Sequence, residues 1–112
     1  MTNPKFQLFK GNDNQFYYRL KAANGEIILA GEGYTAKQSC LTGIASVKQN
    51  AALDAQYKRL IATNDQFYFT LNAGNGEVIG VSETYTTVQS RENGIEAVKT
   101  CAPNSETEDL TN

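Results

Sequence analysis

FYYRLKAANGEII, residues 16–28, returns as FYFTLNAGNGEVI, residues 67–79. The offset of 51 holds without a gap between residues 6–51 and 57–102, and 19 of the 46 paired positions are identical. A repeat of this kind reports one supersecondary unit packed against its copy. Within the quoted stretch the apolar residues alternate: Phe16, Tyr18, Leu20 and Ala22 in the first copy, Phe67, Phe69, Leu71 and Ala73 in the second. A period of two marks a half-buried strand. The opposite face carries Tyr17, Arg19 and Lys21, then Tyr68, Thr70 and Asn72, and is predicted to look at solvent. Asn24-Gly25 and Asn75-Gly76 follow as hairpin signals, read as type I′ turns with positive φ at both central residues. Third strands are predicted over 26–30 and 77–81, with Ile28 and Ile79 matched and Gly80 replacing Leu29.

Upstream, 5–10 and 56–62 have strand composition, and the loops GNDN and ATND lead into the second strands. Downstream, YTAKQSCLTGIASVKQNA (34–51) matches YTTVQSRENGIEAVKTCA (85–102). Thr35 with Gln38, and Thr86 with Gln89, read as capping boxes that open helices. Cys40, Ile44, Val47 and Ala51 form an apolar stripe at helical spacing, answered by Ile95, Val98 and Ala102. Gly43 and Gly94 recur in mid-helix, where glycine costs roughly 1 kcal/mol against alanine, so a close approach to the sheet or the other helix is expected. Tyr34 and Tyr85 precede the predicted caps and are read as rings packed over the sheet edge. The organisation is therefore α+β, β-β-β-α written twice, with one antiparallel sheet, two helices on one face and pseudo-twofold symmetry. A repeat of about 50 residues is too small to be comfortable alone, so residues 1–112 are read as a single domain with a shared core. The polar tail, 103–112, reads as disordered or as a short edge strand.

The charge is unevenly spread: +2 over residues 1–54, −1 over 55–102 and −3 over the tail. No basic run exceeds Lys58-Arg59, so duplex DNA and a membrane surface are not expected partners. Cys40 and Cys101 occupy non-equivalent repeat positions, which argues against a repeat-encoded disulfide and for a reducing compartment. MTNPKF shows no signal-peptide pattern and no apolar run approaches a membrane span, so the cytoplasm is the expected location.

There is no histidine, which removes the Ser-His-Asp and Cys-His routes to a nucleophile and the imidazole zinc sites. No phosphate-binding glycine loop is present. No cofactor and no metal are expected. Glu26 and Glu77 flank the Asn-Gly turns, and Glu32 and Glu83 precede the helices. A small enzyme using carboxylate and tyrosine would need a deep pocket around Glu32 or Glu83. The more informative pair is Tyr17 and Tyr68, with Arg19 and Lys21 beside the first. Aromatic and basic side chains on an open sheet can stack bases or contact protein.

The doubled elements resemble the small bacterial YegP family. They are Asp13-Asn14-Gln15-Phe16, Ala23-Asn24-Gly25-Glu26, Tyr34-Thr35 and Gly43-Ile44-Ala45-Ser46-Val47-Lys48 in the first copy. In the second they are Asn64-Asp65-Gln66-Phe67, Gly74-Asn75-Gly76-Glu77, Tyr85-Thr86 and Gly94-Ile95-Glu96-Ala97-Val98-Lys99. The resemblance implies a β(3)-α-β unit in tandem, with one continuous sheet and exchanged C-terminal strands. It implies that 53–62 serves both repeats and that the tail returns as a strand to the first half. It implies no catalytic residues. A duplicated chain can satisfy its symmetry internally, so a monomer is expected, with a loose homodimer through sheet edges as the alternative.

The functional expectation is a non-enzymatic accessory or protein-binding module. Its surface is Tyr17, Arg19, Lys21, Tyr68, Thr70 and Asn72. Weak binding of single-stranded nucleic acid through the same face is the alternative. Asn24, Gly25, Tyr34, Thr35, Gly43, Asn75, Gly76, Tyr85, Thr86 and Gly94 are assigned structural roles.

Overall fold

In the computed structural model, which describes residues 3–111, each repeat lays down three strands and a helix. The first repeat holds β1 (Lys5–Lys10), β2 (Phe16–Lys21), β3 (Ile27–Ala30) and α1 (Lys37–Asn50). The second holds β4 (Tyr57–Ile61), β5 (Phe67–Asn72), β6 (Val78–Val81) and α2 (Val88–Cys101). A 3₁₀ turn follows each helix, Asp54–Gln56 after α1 and Ala102–Asn104 after α2, and the latter leads to β7 (Glu106–Asp109). One seven-stranded sheet runs through both repeats in the order β4-β5-β6-β3-β2-β1-β7. The repeats meet where β3 and β6 pair antiparallel through Ala30 and Val81.

The sheet is mixed, which corrects the expectation of a wholly antiparallel one. The tail does form a strand, and it runs parallel to β1, with Lys5 to Leu8 opposite Glu106 to Asp109. A parallel neighbour needs a long crossover, and here nearly the whole chain separates the two strands. Side chains explain why so polar a tail pairs at all. Glu108 accepts from Gln7 Nε2 at 2.8 Å and faces Lys5 Nζ at 3.2 Å, while Asp109 pairs with Lys37. The exchange of strands is one-sided. After α1 the chain passes through the 3₁₀ turn into β4, which pairs with β5 and forms one edge of the sheet. Within the segment 53–62, β4 pairs with the second repeat, while Gln56 and the Tyr57 hydroxyl donate back to Asn50 and Ala51 at the end of α1.

The alternation read from the sequence packs the core. Phe6, Leu8, Tyr18, Leu20, Phe69 and Leu71 are fully buried in one cluster with Cys40, Val47, Ile95 and Val98 from the helices. Burying a side chain of this size contributes about 1.5–3 kcal/mol, so this shared cluster is what welds two small units together. The Leu29/Gly80 difference has a packing reason. A Cβ at position 80 would stand 2.7 Å from Leu29 Cδ2 and 2.9 Å from the Tyr18 hydroxyl. That hydroxyl donates to the Ile79 carbonyl, so Tyr18 and Leu29 of the first repeat fill space that Gly80 leaves in the second.

The hairpins differ from the type I′ expectation. Gly25 has φ 86° and Gly76 has φ 88°, but the preceding asparagines are not left-handed. Gly25 N–H donates to Ala22, and Ala22 N–H donates to Glu26, which is a three-residue loop closed by a left-handed residue. The β1–β2 and β4–β5 loops use the same bonds with Asn14 (φ 63°) and Asp65 (φ 64°) in the left-handed place. In each loop the preceding Asx side chain (Asp13, Asn24, Asn64 or Asn75) accepts the backbone N–H two residues on.

Helix starts also differ by one residue. The N-caps are Ala36 and Thr87, where Thr35 and Thr86 were expected. Thr87 Oγ1 accepts Ser90 N–H at 3.0 Å, and Ala36 has no side chain to offer. Thr35 and Thr86 are displaced from the cap because Tyr34 and Tyr85 are still held in the sheet, bridged to Phe16 and Phe67. Each of those tyrosines runs its ring under the helix to Gly43 or Gly94, where a Cβ would overlap the phenol oxygen. The recurring mid-helix glycine and the recurring tyrosine are two halves of one contact.

Candidate binding face at the repeat junction

The face of the sheet away from the helices is built by the residues that alternate with the core. In the first repeat Phe9 stands opposite Tyr17, and Gln7 opposite Arg19. The Phe9 and Tyr17 rings stack at 5.8 Å and 19°, and the Arg19 guanidinium lies 4.6 Å from the Phe9 ring centre. A cation over an aromatic ring and two offset rings are each mutually favourable arrangements. Arg19 Nε donates to Gln7 Oε1 at 2.8 Å, and Gln7 passes the network on to Glu108. At the other end the Tyr17 hydroxyl donates to Asp13. That bond holds the Asp13 carboxyl below its usual range and raises the Tyr17 phenol above its own. The Gln7 amide, and then the Lys5 ammonium, likewise lower Glu108. The result is a line of mutually oriented side chains across β7, β1 and β2.

The second repeat does not reproduce it. Thr70, expected at the surface, is only 6% exposed, and its hydroxyl donates to Asn72 Oδ1 at 2.9 Å. Its cross-strand neighbours are Lys58 on β4 and Val81 on β6. Tyr68 and Asn72 are half-buried, as are Tyr17, Arg19 and Lys21. All six candidate residues lie on one face, but β3 and β6 separate β2 from β5. At strand spacing this places the two tyrosine-bearing strands roughly 14 Å apart, too far to act as one stacking platform.

What lies between them is a cleft that sequence reading missed. A cavity of about 380 Å³ opens at the repeat junction. Phe9, Tyr17 and Arg19 form one wall, Ile27 and Ala30 lie between, and Val81, Ser82 and Glu83 form the other side. Its lining is mainly apolar, with one cationic and one anionic side chain, the mixture typical of a recognition site. The missing signal was strand order: Ile27, Ala30 and Val81 look like ordinary strand residues until β3 and β6 are known to be neighbours. Glu83 reaches this cleft and Glu32 does not, so the two repeated carboxylates are not brought together in it.

Tyr34 and Tyr85 belong to the helix side, and burial raises both phenols. Burial also pushes the Cys40 thiol up to about 11, so it stands as an unreactive core residue. Among the described residues no group of three His, Cys, Asp or Glu side chains could hold a metal ion, and no helix is long and apolar enough to cross a membrane.

Comparison with known proteins gives a consistent picture. Residues 12–57 and 62–109 each match the family described as a domain of unknown function, DUF1508. The UPF0339 protein YegP of Escherichia coli (strain K12) is 51% identical over 94 residues, 84% of this chain and 86% of the relative. A UPF0339 protein from the ptx operon 5′ region of Stutzerimonas stutzeri is 45% identical over 107 residues, 96% of each chain. The solution NMR structure of E. coli YegP covers 99% of this chain and 96% of its own, with TM-score 0.92 and 45% identity. That of a Shewanella oneidensis UPF0339 protein covers 98% and 93%, with TM-score 0.91 and 39% identity. The two matched copies, the shared fold and this level of identity make the chain a member of the DUF1508 family, the group that contains YegP and the UPF0339 proteins.

Proposed function

We propose that this protein is a non-enzymatic binding module whose open sheet face takes a segment of another protein. The observation that carries the reading is the apolar cleft at the repeat junction, bounded by Tyr17 and Arg19 on one side and Glu83 on the other. An apolar side chain of the partner would enter between Ile27 and Val81. Arg19 spends its Nε on Gln7, and the rest of its guanidinium fork is available for a carboxylate or a backbone carbonyl. Tyrosine and arginine are the residue types most often responsible for binding energy at protein interfaces. Stacking of nucleic-acid bases is less well supported, because Tyr17 already stacks on Phe9 and is tied to the acidic Asp13.

The test is affinity capture from lysate by wild type and by a folded Val81→Glu variant, each with and without nuclease. Val81 is half-buried in the cleft, so a carboxylate there fills and charges the site while its side chain can still reach water. A protein retained by wild type after nuclease treatment and lost with Val81→Glu supports the reading. A nuclease-sensitive partner replaces it with the nucleic-acid reading, and equal capture by both baits removes the cleft from consideration.

A further inference from the structure

The two edges of the sheet are not equivalent, and the difference is local to one slot. At the 51-residue offset, β4 is the counterpart of β1. The outer side of β1 is covered by β7 in parallel. The outer side of β4 is an edge. The reason is chain economy. Only six residues separate Asn50 at the end of α1 from Tyr57, so the chain enters β4 itself and cannot supply a neighbour for it.

We propose that the β4 edge accepts an extended acidic segment of a partner protein, added in parallel as an eighth strand. Backbone geometry provides the first support. In β1 the Leu8 carbonyl faces outward and accepts the Leu110 N–H at 2.8 Å. Leu8 sits opposite Tyr18, and Arg59 sits opposite Phe69 in the same register of the second repeat. The Arg59 carbonyl therefore faces outward in the same way. Addition of a strand to an exposed edge uses such groups for affinity and alternate side chains for specificity.

Charge supplies the specificity. On β1, Gln7 takes Glu108 of β7. Its counterpart on β4 is Lys58, which is exposed and has no acidic partner among the described residues. A carboxylate in the Glu108 position of an incoming strand would meet it. On the helix side the chemistry changes. Lys37 holds Asp109 in the first repeat, but its counterpart is Val88, 47% exposed. Lys10 is replaced by Ile61, 63% exposed. The occupant thus carries acid toward Lys58 and an apolar residue where β7 has Asp109. A second copy of this chain meeting β4 edge to edge would bring two Lys58 ammonium groups to one seam with no carboxylate between them, since Arg59 already holds Glu92 and Asp54, and like-charge repulsion opposes that.

The probe is a peptide spanning residues 104–111 of this chain with Asp109→Val, titrated into the ¹⁵N-labelled full chain. Saturable amide shifts concentrated on 57–61 and Val88 are expected. Lys58→Glu, at an exposed position, should weaken binding roughly tenfold, the scale of reversing one exposed ion pair. A peptide with both glutamates changed to lysine should recover that loss. A spin label on the peptide N-terminus should broaden Tyr57 more than Ile61. The proposal is overturned if shifts centre on 5–8, which would mean displacement of β7, if Lys58→Glu leaves affinity unchanged, or if no saturable binding occurs.

Discussion

Replacing Gly43 by alanine sets two known effects against each other. Alanine is favoured over glycine in a helix interior by about 1 kcal/mol. Here the added Cβ would overlap the Tyr34 hydroxyl and stand 3.0 Å from Tyr34 Cζ. Forcing a methyl into a packed contact costs about 1–3 kcal/mol. The net for Gly43→Ala is a loss of up to about 2 kcal/mol. Tyr34→Phe removes the overlapping oxygen, so in that background Gly43→Ala should be neutral or stabilising. The double-mutant cycle should show a coupling of about 1–2 kcal/mol. Urea unfolding would read it, since a domain of this size changes by about 1–1.5 kcal/mol per molar urea and the midpoint would move by about 1 M. The second repeat sharpens the test. At Gly94 a Cβ would also lie 2.8 Å from Tyr85 Cζ and 3.3 Å from Phe69 Cε2, so Tyr85→Phe should rescue Gly94→Ala only in part. Absence of coupling at position 43, or equal rescue at both positions, would refute the proposed contact as the reason for the recurring glycine.

Three further outcomes follow from the same geometry. Gly25→Ala and Gly76→Ala should each lose about 1–2 kcal/mol in urea unfolding, because φ is positive there and nothing lies within 4 Å of the added atom. Gly25→Asn should lose less, since Asn14 holds the same conformation in the neighbouring hairpin. Thr87→Ala should destabilise by about 1 kcal/mol through the lost cap, and Ala36→Thr should gain a similar amount, both measured as midpoint shifts. Acid should loosen β7 first. Lys37 and Thr111 hold Asp109 at about 2, and Gln7 and Lys5 lower Glu108, so both carboxyls are depressed in the folded state. Their contribution is complete above the ordinary carboxylate range and is lost as pH falls toward 2. Amide signals of residues 106–110 should therefore move toward disordered positions before those of β2 and β5, and simultaneous loss would contradict the assignment.

Much of this fold is legible in the chain, and the failures share a cause. Periodicity located β2 and β5, and the faces of Tyr18, Leu20, Phe69 and Leu71 follow from it, because burial of alternate residues is a local property. The hairpin class was misread because Asn-Gly serves both a two-residue turn and the three-residue loop that these strands use. In the first copy the hydroxyl of Thr35 stands one residue before the actual cap, Ala36, and in the second Thr86 and Thr87 are chemically alike as caps. Only the bridge from Tyr85 back to Phe67 decides which one leaves the sheet. Non-local features were least visible. The sequence Glu106-Thr107-Glu108-Asp109 has little strand character, and it pairs because Lys5, Gln7 and Lys37 await it about 70 to 100 residues earlier. The cleft was invisible for the same reason, since its two sides come from different repeats.

The divergence between the copies is concentrated where symmetry would be harmful. At the junction, β3 and β6 lie side by side, so like side chains on both would compete for one space. Leu29 takes that space and Gly80 yields it, while Tyr18 spans the junction to the Ile79 carbonyl and its counterpart Phe69 has no hydroxyl to do the same. Two identical repeats could not make this arrangement, because each would bring both the leucine and the tyrosine. On the open face the same asymmetry puts Arg19 and the stacked Phe9 and Tyr17 on one side of the cleft, and Val81, Ser82 and Glu83 on the other. At the edges it covers β1 with the tail, while β4 has no outer neighbour among the described residues. Duplication within one chain is what allows each copy to specialise. A symmetric pair of separate subunits must present every surface twice, whereas this chain presents a polarised cleft at its junction and two unlike sheet edges, β4 at one end and β7 at the other.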